Sequence, residues 1–145
     1  MLYCIVFIVS GFLGWVIDTG YRSLEVQRFA TATVIPFFSI AYATASLGLY
    51  FIFRNWKTYF AVQVILGGVL CVLLELLGGV IIENFFGKRL WDYSDGFLNF
   101  RGYIDLKHSV YWLLLTLMYR IIFGFLPVSF RRSPALTNGT VSKHL

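Results

Sequence analysis

The chain has 145 residues, of which 59% are hydrophobic and 13% are charged. Soluble globular domains are about 45–50% apolar and about 25% charged, so this composition disfavours a soluble enzyme, a disordered chain and a collagen-like fibre, and indicates an integral membrane protein. The net charge is +5, but the basic residues are scattered between apolar runs rather than clustered. We therefore assign them to phospholipid headgroups and predict no nucleic-acid partner.

Four long apolar runs follow one another along the chain. A helix needs about 20 apolar residues to cross the hydrocarbon core, and the second, third and fourth runs meet this length. The first run meets it only if its last residues lie at the interface, and it lacks the basic start and cleavage site of a signal peptide, so we interpret it as an uncleaved span. Continuous runs favour helices over barrel strands, which alternate in polarity. The predicted spans are residues 2–21, 29–53, 58–82 and 110–130, with Pro36 kinking or opening the second.

These runs predict an all-α fold, a polytopic bundle over residues 1–132 that is multi-pass in the cell membrane. An aromatic-rich interfacial or re-entrant loop is predicted over 83–109, and a disordered tail over 133–145. Lys and Arg near the span ends number five on the side of the two termini and six on the other side, so the positive-inside rule does not decide orientation. The pair Arg131-Arg132 abuts a span and favours both termini inside.

The sequence contains no familiar catalytic or metal-binding motif. It has no G-x-S-x-G, H-E-x-x-H or P-loop pattern, and Cys4 and Cys71 lie singly inside apolar runs. His108 is isolated beside Lys107, and we interpret it as an interface residue. We predict no catalytic residue, no metal and no cofactor, and we expect the protein not to be an enzyme.

Glu75 is the most informative single residue, because a carboxylate inside a span costs about 2.5–3.5 kcal/mol and usually faces the helix bundle. It lies in a series of small or acidic residues spaced four apart, which predicts a packed helix face with the carboxylate embedded in it. We call this series the Glu75 face; it comprises Gly67, Cys71, Glu75, Gly79 and Glu83.

Arg120 is the one charged residue of the fourth run. Antiparallel third and fourth spans would displace both charged side chains toward the same side, which predicts an ion pair between Glu75 and Arg120. The pair would either fix helix register, the interpretation we favour, or form a substrate or proton site. Asp18 and Arg22 lie one helical turn apart, which predicts an interfacial pair, with a polar site as the alternative.

The predicted loop mixes charged residues with seven aromatic ones, a combination typical of the membrane surface. It forms either an interfacial belt or a re-entrant cap. We expect Trp91-Asp92-Tyr93-Ser94 to be folded against the bundle, because a long structureless connection is unusual and exposed aromatic rings would be costly. Asp92 would then be partly buried and held by Ser94, the local backbone or Arg101.

Several motifs occur in a fixed order around this loop. They are Glu75-x-x-Gly78-Gly79 with Glu83, then Leu90-Trp91-Asp92-Tyr93-Ser94-Asp95, then Asn99-Phe100-x-Gly102-x-Ile104-x-Leu106, and Ser109-x-x-Trp112. In this pattern the chain resembles the bacterial ABC-transporter permease family of the CmpB type, over about residues 7–123. Asp18 stands where the family has Glu.

The resemblance implies a permease subunit that moves an unidentified substrate across the membrane together with a separate ATPase subunit. One alternative is a small proton-coupled carrier that uses Glu75 and works as a homo-oligomer; another is a membrane interaction or structural subunit without transport. The lipid bilayer surrounds the protein in each case. The candidate substrate or structural polar site is Glu75, Glu83, Arg120 and Asp18, and the motif loop is Trp91, Asp92, Tyr93 and Ser94.

Overall fold

The computed structural model describes residues 2–31, 33–56, 58–127 and 130. Within these ranges it contains four helices, and the fold is all-helical. The predicted fold class of a polytopic helical membrane protein is confirmed, whereas the predicted tail over 133–145 lies outside the described residues. The helices are α1 Leu2–Val26, α2 Ile40–Asn55, α3 Phe60–Phe86 and α4 Leu106–Phe125.

Three of these helices, α1, α3 and α4, are long and apolar enough to cross a membrane. The remaining helix, α2, has 16 residues and is therefore about 24 Å long, against a hydrocarbon core of about 30 Å. It packs against each of the other three helices. The presence of four complete spans stays a prediction, while the multi-pass character of the chain is clear from the three longer helices.

The short helix α2 forms the centre of the bundle. Seven of its 16 residues are buried, more than in any of the three longer helices. Tyr50 is 1% exposed, and its ring lies 5.4 Å from that of Tyr3 on α1 and 5.7 Å from that of Phe123 on α4. One buried ring of α2 therefore contacts both α1 and α4.

Glycines allow the helices to approach closely. An added Cβ on Gly11 of α1 would overlap the ring of Phe38, and one on Gly14 would overlap Tyr42. On α3, Gly68 faces Leu113 of α4, where an added Cβ would lie 2.8 Å from the leucine side chain. Small residues at such points bring backbones together without a hydrophobic driving force, as in other membrane helix pairs.

The second helix begins later than the apolar run predicts. The run indicates a span over 29–53, but the helix starts at Ile40, after a turn that contains Pro36. Ser39 caps it: its Oγ accepts from the backbone N–H of Tyr42 at 3.5 Å, and its own N–H donates to the carbonyl of Gly11 at 2.9 Å. A serine cap following a proline turn is a strong start signal, and it overrides the apolar character of the preceding residues.

The last helix begins earlier than predicted, at Leu106 instead of residue 110. Asp105 is its N-cap, and the carboxylate accepts from the backbone N–H of His108 at 2.8 Å. At the other end of the connection, α3 ends at Phe86, and its C-cap Gly87 adopts a left-handed conformation with φ +63°. The two ends define an irregular connection, residues 87–105, which we call the cap.

Candidate functional site

The cap is folded on itself by hydrogen bonds from its own polar side chains. Asp92 Oδ1 accepts from the backbone N–H of Ser94 at 3.0 Å and from its hydroxyl at 2.5 Å. Asn99 Nδ2 donates to the carbonyls of Ser94 and Gly96 at 2.9 and 3.0 Å. The backbone N–H of Tyr93 donates to the carbonyl of Gly102 at 2.9 Å. This is an Asx-type turn closed into a compact unit.

Asp92 acts in the cap as a solvated turn residue. The sequence predicts a partly buried carboxylate, but the side chain is 54% exposed, so that part of the prediction is wrong. Ser94 and the backbone are its donors as expected, and they lower the pKa of Asp92, the serine hydroxyl contributing most. The nearby cation is Arg89 at 3.6 Å, whose Nη1 also donates to the carbonyl of Arg101. Arg101 therefore supplies a carbonyl to this cluster.

The cap packs on the C-terminal half of α3. The indole of Trp91 lies against Gly79, where an added Cβ would be 3.3 Å from the ring, and its Nε1 donates to the carbonyl of Tyr103 at 2.9 Å. Tyr103 donates to Glu83 Oε2 at 2.5 Å, and Arg89 donates to the same oxygen at 3.0 Å. The predicted folding of the motif loop against the bundle is confirmed by these contacts.

The Glu75 face is packed along its length, as predicted, but against two kinds of neighbour. In its first half, Gly67 lies against Leu49 and Thr116, and Cys71 Sγ is 3.7 Å from the Thr116 hydroxyl. In its second half, Gly79 and Glu83 contact the cap instead of another helix. Glu75 lies where the two halves meet.

Glu75 is 8% exposed and its two carboxylate oxygens receive one donor each. Tyr93 Oη of the cap donates to Oε1 at 3.1 Å, and Trp112 Nε1 of α4 donates to Oε2 at 2.7 Å. Both donors are neutral groups. The carboxylate thus joins α3, α4 and the cap without an ion pair among the described residues.

A partly open cavity of about 370 Å³ borders this carboxylate. Its polar lining combines both signs of charge, because Asp18 and Arg22 of α1 line it together with Glu75 of α3. Arg22 Nε lies 3.1 Å from Asp18 Oδ1, so the predicted i,i+4 pair is confirmed. The remaining lining is mostly aromatic or aliphatic; its aromatic members are Tyr21, Tyr42, Trp91, Tyr93, Tyr111 and Trp112.

His108, which the sequence indicates as an interface residue, lines this cavity. Its ring stacks on that of Tyr93, with centroids 3.7 Å apart and planes 10° apart. Nδ1 is 2.7 Å from Asp105 Oδ1, and Nε2 is 3.5 Å from the hydroxyl of Tyr21. Asp105, the N-cap residue of α4, therefore also orients the imidazole. The imidazole in turn positions Tyr93 through the ring stacking.

The electrostatics of the cavity are visible at Tyr93. Burial raises the pKa of its phenol, and the negative charge of Glu75 raises it further, while Arg22 acts in the opposite direction. The hydroxyl therefore stays protonated and keeps its role as a donor. Arg22 and Glu75 line the same cavity, although the two residues belong to different helices.

The predicted ion pair between Glu75 and Arg120 is not formed. Arg120 Nε donates to Gln63 Oε1 at 2.6 Å, and its guanidinium lies 5.1 Å from the ring centroid of Phe60. In the antiparallel packing of α3 and α4, Glu75 is level with Trp112, and Arg120 lies eight residues further along α4. That offset corresponds to about 12 Å, too far for a pair. The arginine thus belongs to the opposite end of the bundle.

The partners that sequence reasoning missed include Gln63, Trp112 and Asp105. Gln63 is 4% exposed and is a polar residue in an otherwise apolar run, so it was a recognisable candidate for a buried partner. Asp105 and His108 have the spacing of a helix N-cap and its third residue, which is also a readable signal. Trp112 carries no such signal, because its contact with Glu75 can be predicted only when the register between α3 and α4 is known.

The donor set of the cavity suits an organic ligand better than a metal. Among the residues that the structure describes, no group of three or more His, Cys, Asp or Glu side chains could hold a metal ion. The lining instead offers carboxylate, guanidinium, imidazole, phenol and indole groups at separate points, which can orient a polar organic molecule inside an aromatic enclosure.

Residues 5–140 match the family described as "Putative ABC-transporter type IV". The chain belongs to this family. Comparisons with curated proteins and with solved structures give no significant match. The resemblance predicted from the motifs is confirmed. In this ABC-transporter-type chain the contacts between α3 and the cap include the motif residues Glu75, Gly79, Glu83, Trp91 and Tyr93.

Proposed function

We propose that this protein is the membrane-embedded permease subunit of a transporter and that the cavity beside Glu75 binds its substrate. The observation that carries the proposal is the position of the cavity, which lies between spanning helices and the cap. It presents a carboxylate, a guanidinium and an imidazole to one shared space. Polar groups placed inside a helical bundle usually mark a substrate or ion pathway.

The hydrogen bonding of Glu75 supports a binding role. A carboxylate has about four lone-pair sites, and the two donors supplied by Tyr93 and Trp112 leave capacity for a ligand. Both oxygens of Asp18, in contrast, already accept from Arg22 Nε, at 3.1 and 3.3 Å. We propose Glu75 as the main recognition group, with the Asp18–Arg22 pair forming the opposite wall. Arg120 and Glu83 then have structural roles, because their contacts lie outside the cavity.

A separate ATPase subunit is part of this function, in line with the family to which the chain belongs. A test begins with affinity purification of the tagged full chain from native membranes. The recovered complex is reconstituted in proteoliposomes that contain ATP, incubated with a metabolite extract, and assayed by mass spectrometry of the lumen or the medium.

The expected result is a co-purified nucleotide-hydrolysing protein and ATP-dependent movement of a specific solute. Loss of that movement in Glu75→Gln, and its retention in the surface variant Ile121→Ala, would support the assignment of the site. A stable complex without ATP-dependent movement of any solute would contradict the permease function and favour a structural subunit.

A proton-coupled carrier is the second candidate function, and one observation favours it. Both donors to Glu75 are neutral, so within the described chain its charge is not fixed by an ion pair. A buried carboxylate of that kind can exchange a proton. Solute movement that follows an imposed pH gradient, needs no ATP and disappears in Glu75→Gln would select this function over the ATP-driven one.

A further inference from the structure

A second cavity, of about 390 Å³, adjoins the polar one and is almost wholly apolar. It is a groove between α1 and α4 with α2 at its floor. On α1 its lining runs from Leu2 to Ile17, and on α4 from Trp112 to Ile122. At 1.5 Å per residue the groove is about 22 Å long, which exceeds half the thickness of the hydrocarbon core, about 15 Å.

The two cavities share part of their walls. Five residues line both of them, and they come from three different helices, so the polar cavity continues into the groove. The shared residues are Ile17, Tyr42, Trp112, Leu115 and Met118. Trp112 is the clearest link, because its Nε1 donates to Glu75 while its side chain lines the groove as well.

The polar end offers separate places for a cation and an anion. Glu75 has neutral donors and aromatic neighbours, an environment that suits an ammonium group. Arg22 uses Nε for both of its hydrogen bonds to Asp18, and its terminal N–H groups make no hydrogen bond to any described residue. A guanidinium with free terminal donors suits a phosphate or carboxylate.

We propose that the ligand of this site is a zwitterionic amphiphile. Its ammonium group would bind at Glu75, its anionic group at Arg22, and its hydrocarbon chain would lie in the groove between α1 and α4. The inference rests on the proposed transport function and names the class of its substrate. Charge complementarity at the polar end selects this occupant over a helix of another chain, which would fill the groove without using the charges.

Photolabelling of the full chain in dodecyl maltoside micelles tests the proposal. The probe is lysophosphatidylethanolamine with a diazirine at the end of its acyl chain, and labelled peptides are mapped by mass spectrometry. Competitors are unlabelled lysophosphatidylethanolamine, lysophosphatidylglycerol with the same chain, and glycerophosphoethanolamine, which has the headgroup without the chain.

We expect labelling on the groove side of α1 and α4, and displacement by lysophosphatidylethanolamine at about one tenth of the concentration that lysophosphatidylglycerol requires, as one charge-assisted hydrogen bond would give. Glu75→Gln should remove this preference. Leu115→Trp, at the junction of the two cavities, should reduce labelling about tenfold, while Ile121→Trp on the same helix, which lines neither cavity, should not.

Equal displacement by the two lysolipids would overturn the proposal, as would displacement by the headgroup alone. A crosslinked dimer that protects the groove from the probe would also overturn it, because a second copy would then be the occupant. If Glu75→Gln does not fold, Leu115→Trp and the competitor series decide the result. A complex that moves a small polar solute with ATP, but whose groove is not labelled by the probe, would refute this inference. The proposed transport function would then still stand.

Discussion

Tyr93→Phe removes the one hydroxyl group that joins the cap to Glu75 among the described residues. This hydroxyl donates to Oε1 at 3.1 Å, whereas the ring stacks on His108 with centroids 3.7 Å apart. Phenylalanine keeps the stacked ring, so the change isolates the hydrogen bond. A hydrogen bond to a charged acceptor is worth about 1.5–3 kcal/mol, and its loss should favour opening of the cap by roughly 10- to 150-fold.

Hydrogen exchange over residues 91–105, followed by mass spectrometry of the detergent-solubilised protein, measures this opening directly. In a Glu75→Gln background, the same change should lower the free energy that holds the cap closed by only about 0.5–1.5 kcal/mol, because the acceptor is then neutral. The control is Tyr59→Phe, since Tyr59 is 84% exposed and lies far from the cap in sequence. Its exchange profile should match that of the unchanged protein.

Two outcomes would refute this reasoning. Unchanged exchange in Tyr93→Phe would show that the hydrogen bond does not hold the cap. An equally large increase whether or not the Glu75→Gln change is present would show that the phenol acts through packing and not through the carboxylate, because coupled groups give non-additive effects and independent groups give additive ones.

Three further predictions concern other parts of the fold. Gly79→Ala should increase exchange in the cap, because its Cβ would come within 2.8 Å of one aromatic ring and 3.3 Å of another, whereas Gly78→Ala, with 3.9 Å of clearance, should not. Gln63→Leu and Arg120→Leu should each lower the free energy of unfolding by about 1.5–3 kcal/mol in detergent denaturation, because each removes the hydrogen bond between the two side chains. The double change should lower it by less than the sum of the two, and strictly additive losses would contradict the contact. Protection of the cap should fall as the pH drops below about 4, because the hydrogen bonds that lower the pKa of Asp92 stabilise the folded form only while its carboxylate is charged. Asp92→Asn should lose this part of the acid dependence, and an unaltered acid profile in that variant would contradict the prediction.

The helical membrane fold could be predicted from composition and run length alone, since lipid leaves few alternatives for an apolar chain. The Glu75 face could also be predicted, because a spacing of four places residues on one side of any helix. Its neighbours could not. Gly79 faces Tyr103 and Trp91, which reach it only because the cap folds back onto α3, and no spacing along the chain indicates that fold.

The error over Arg120 has a single physical origin in helix register. The apolar run indicates a span that begins at residue 110. The helix itself begins at Leu106, because Asp105 is its N-cap residue. Hydrophobicity marks which residues lie in the membrane, whereas capping marks where a helix starts, and the two need not coincide. Partner assignments between helices depend on the second property, so Trp112 rather than Arg120 reaches Glu75.

If the Glu75 cavity is the substrate site of a transporter, the transport rate must depend on its carboxylate and not on the charge at the other end of the bundle. Purified complexes containing the unchanged chain, Glu75→Gln or Arg120→Gln are reconstituted at equal amounts, and the initial rate of ATP-dependent solute movement is compared. We expect a loss of about tenfold or more in Glu75→Gln and a near-normal rate per folded protein in Arg120→Gln, whose side chain lies outside the cavity. Normal transport by Glu75→Gln would contradict the assignment of the site.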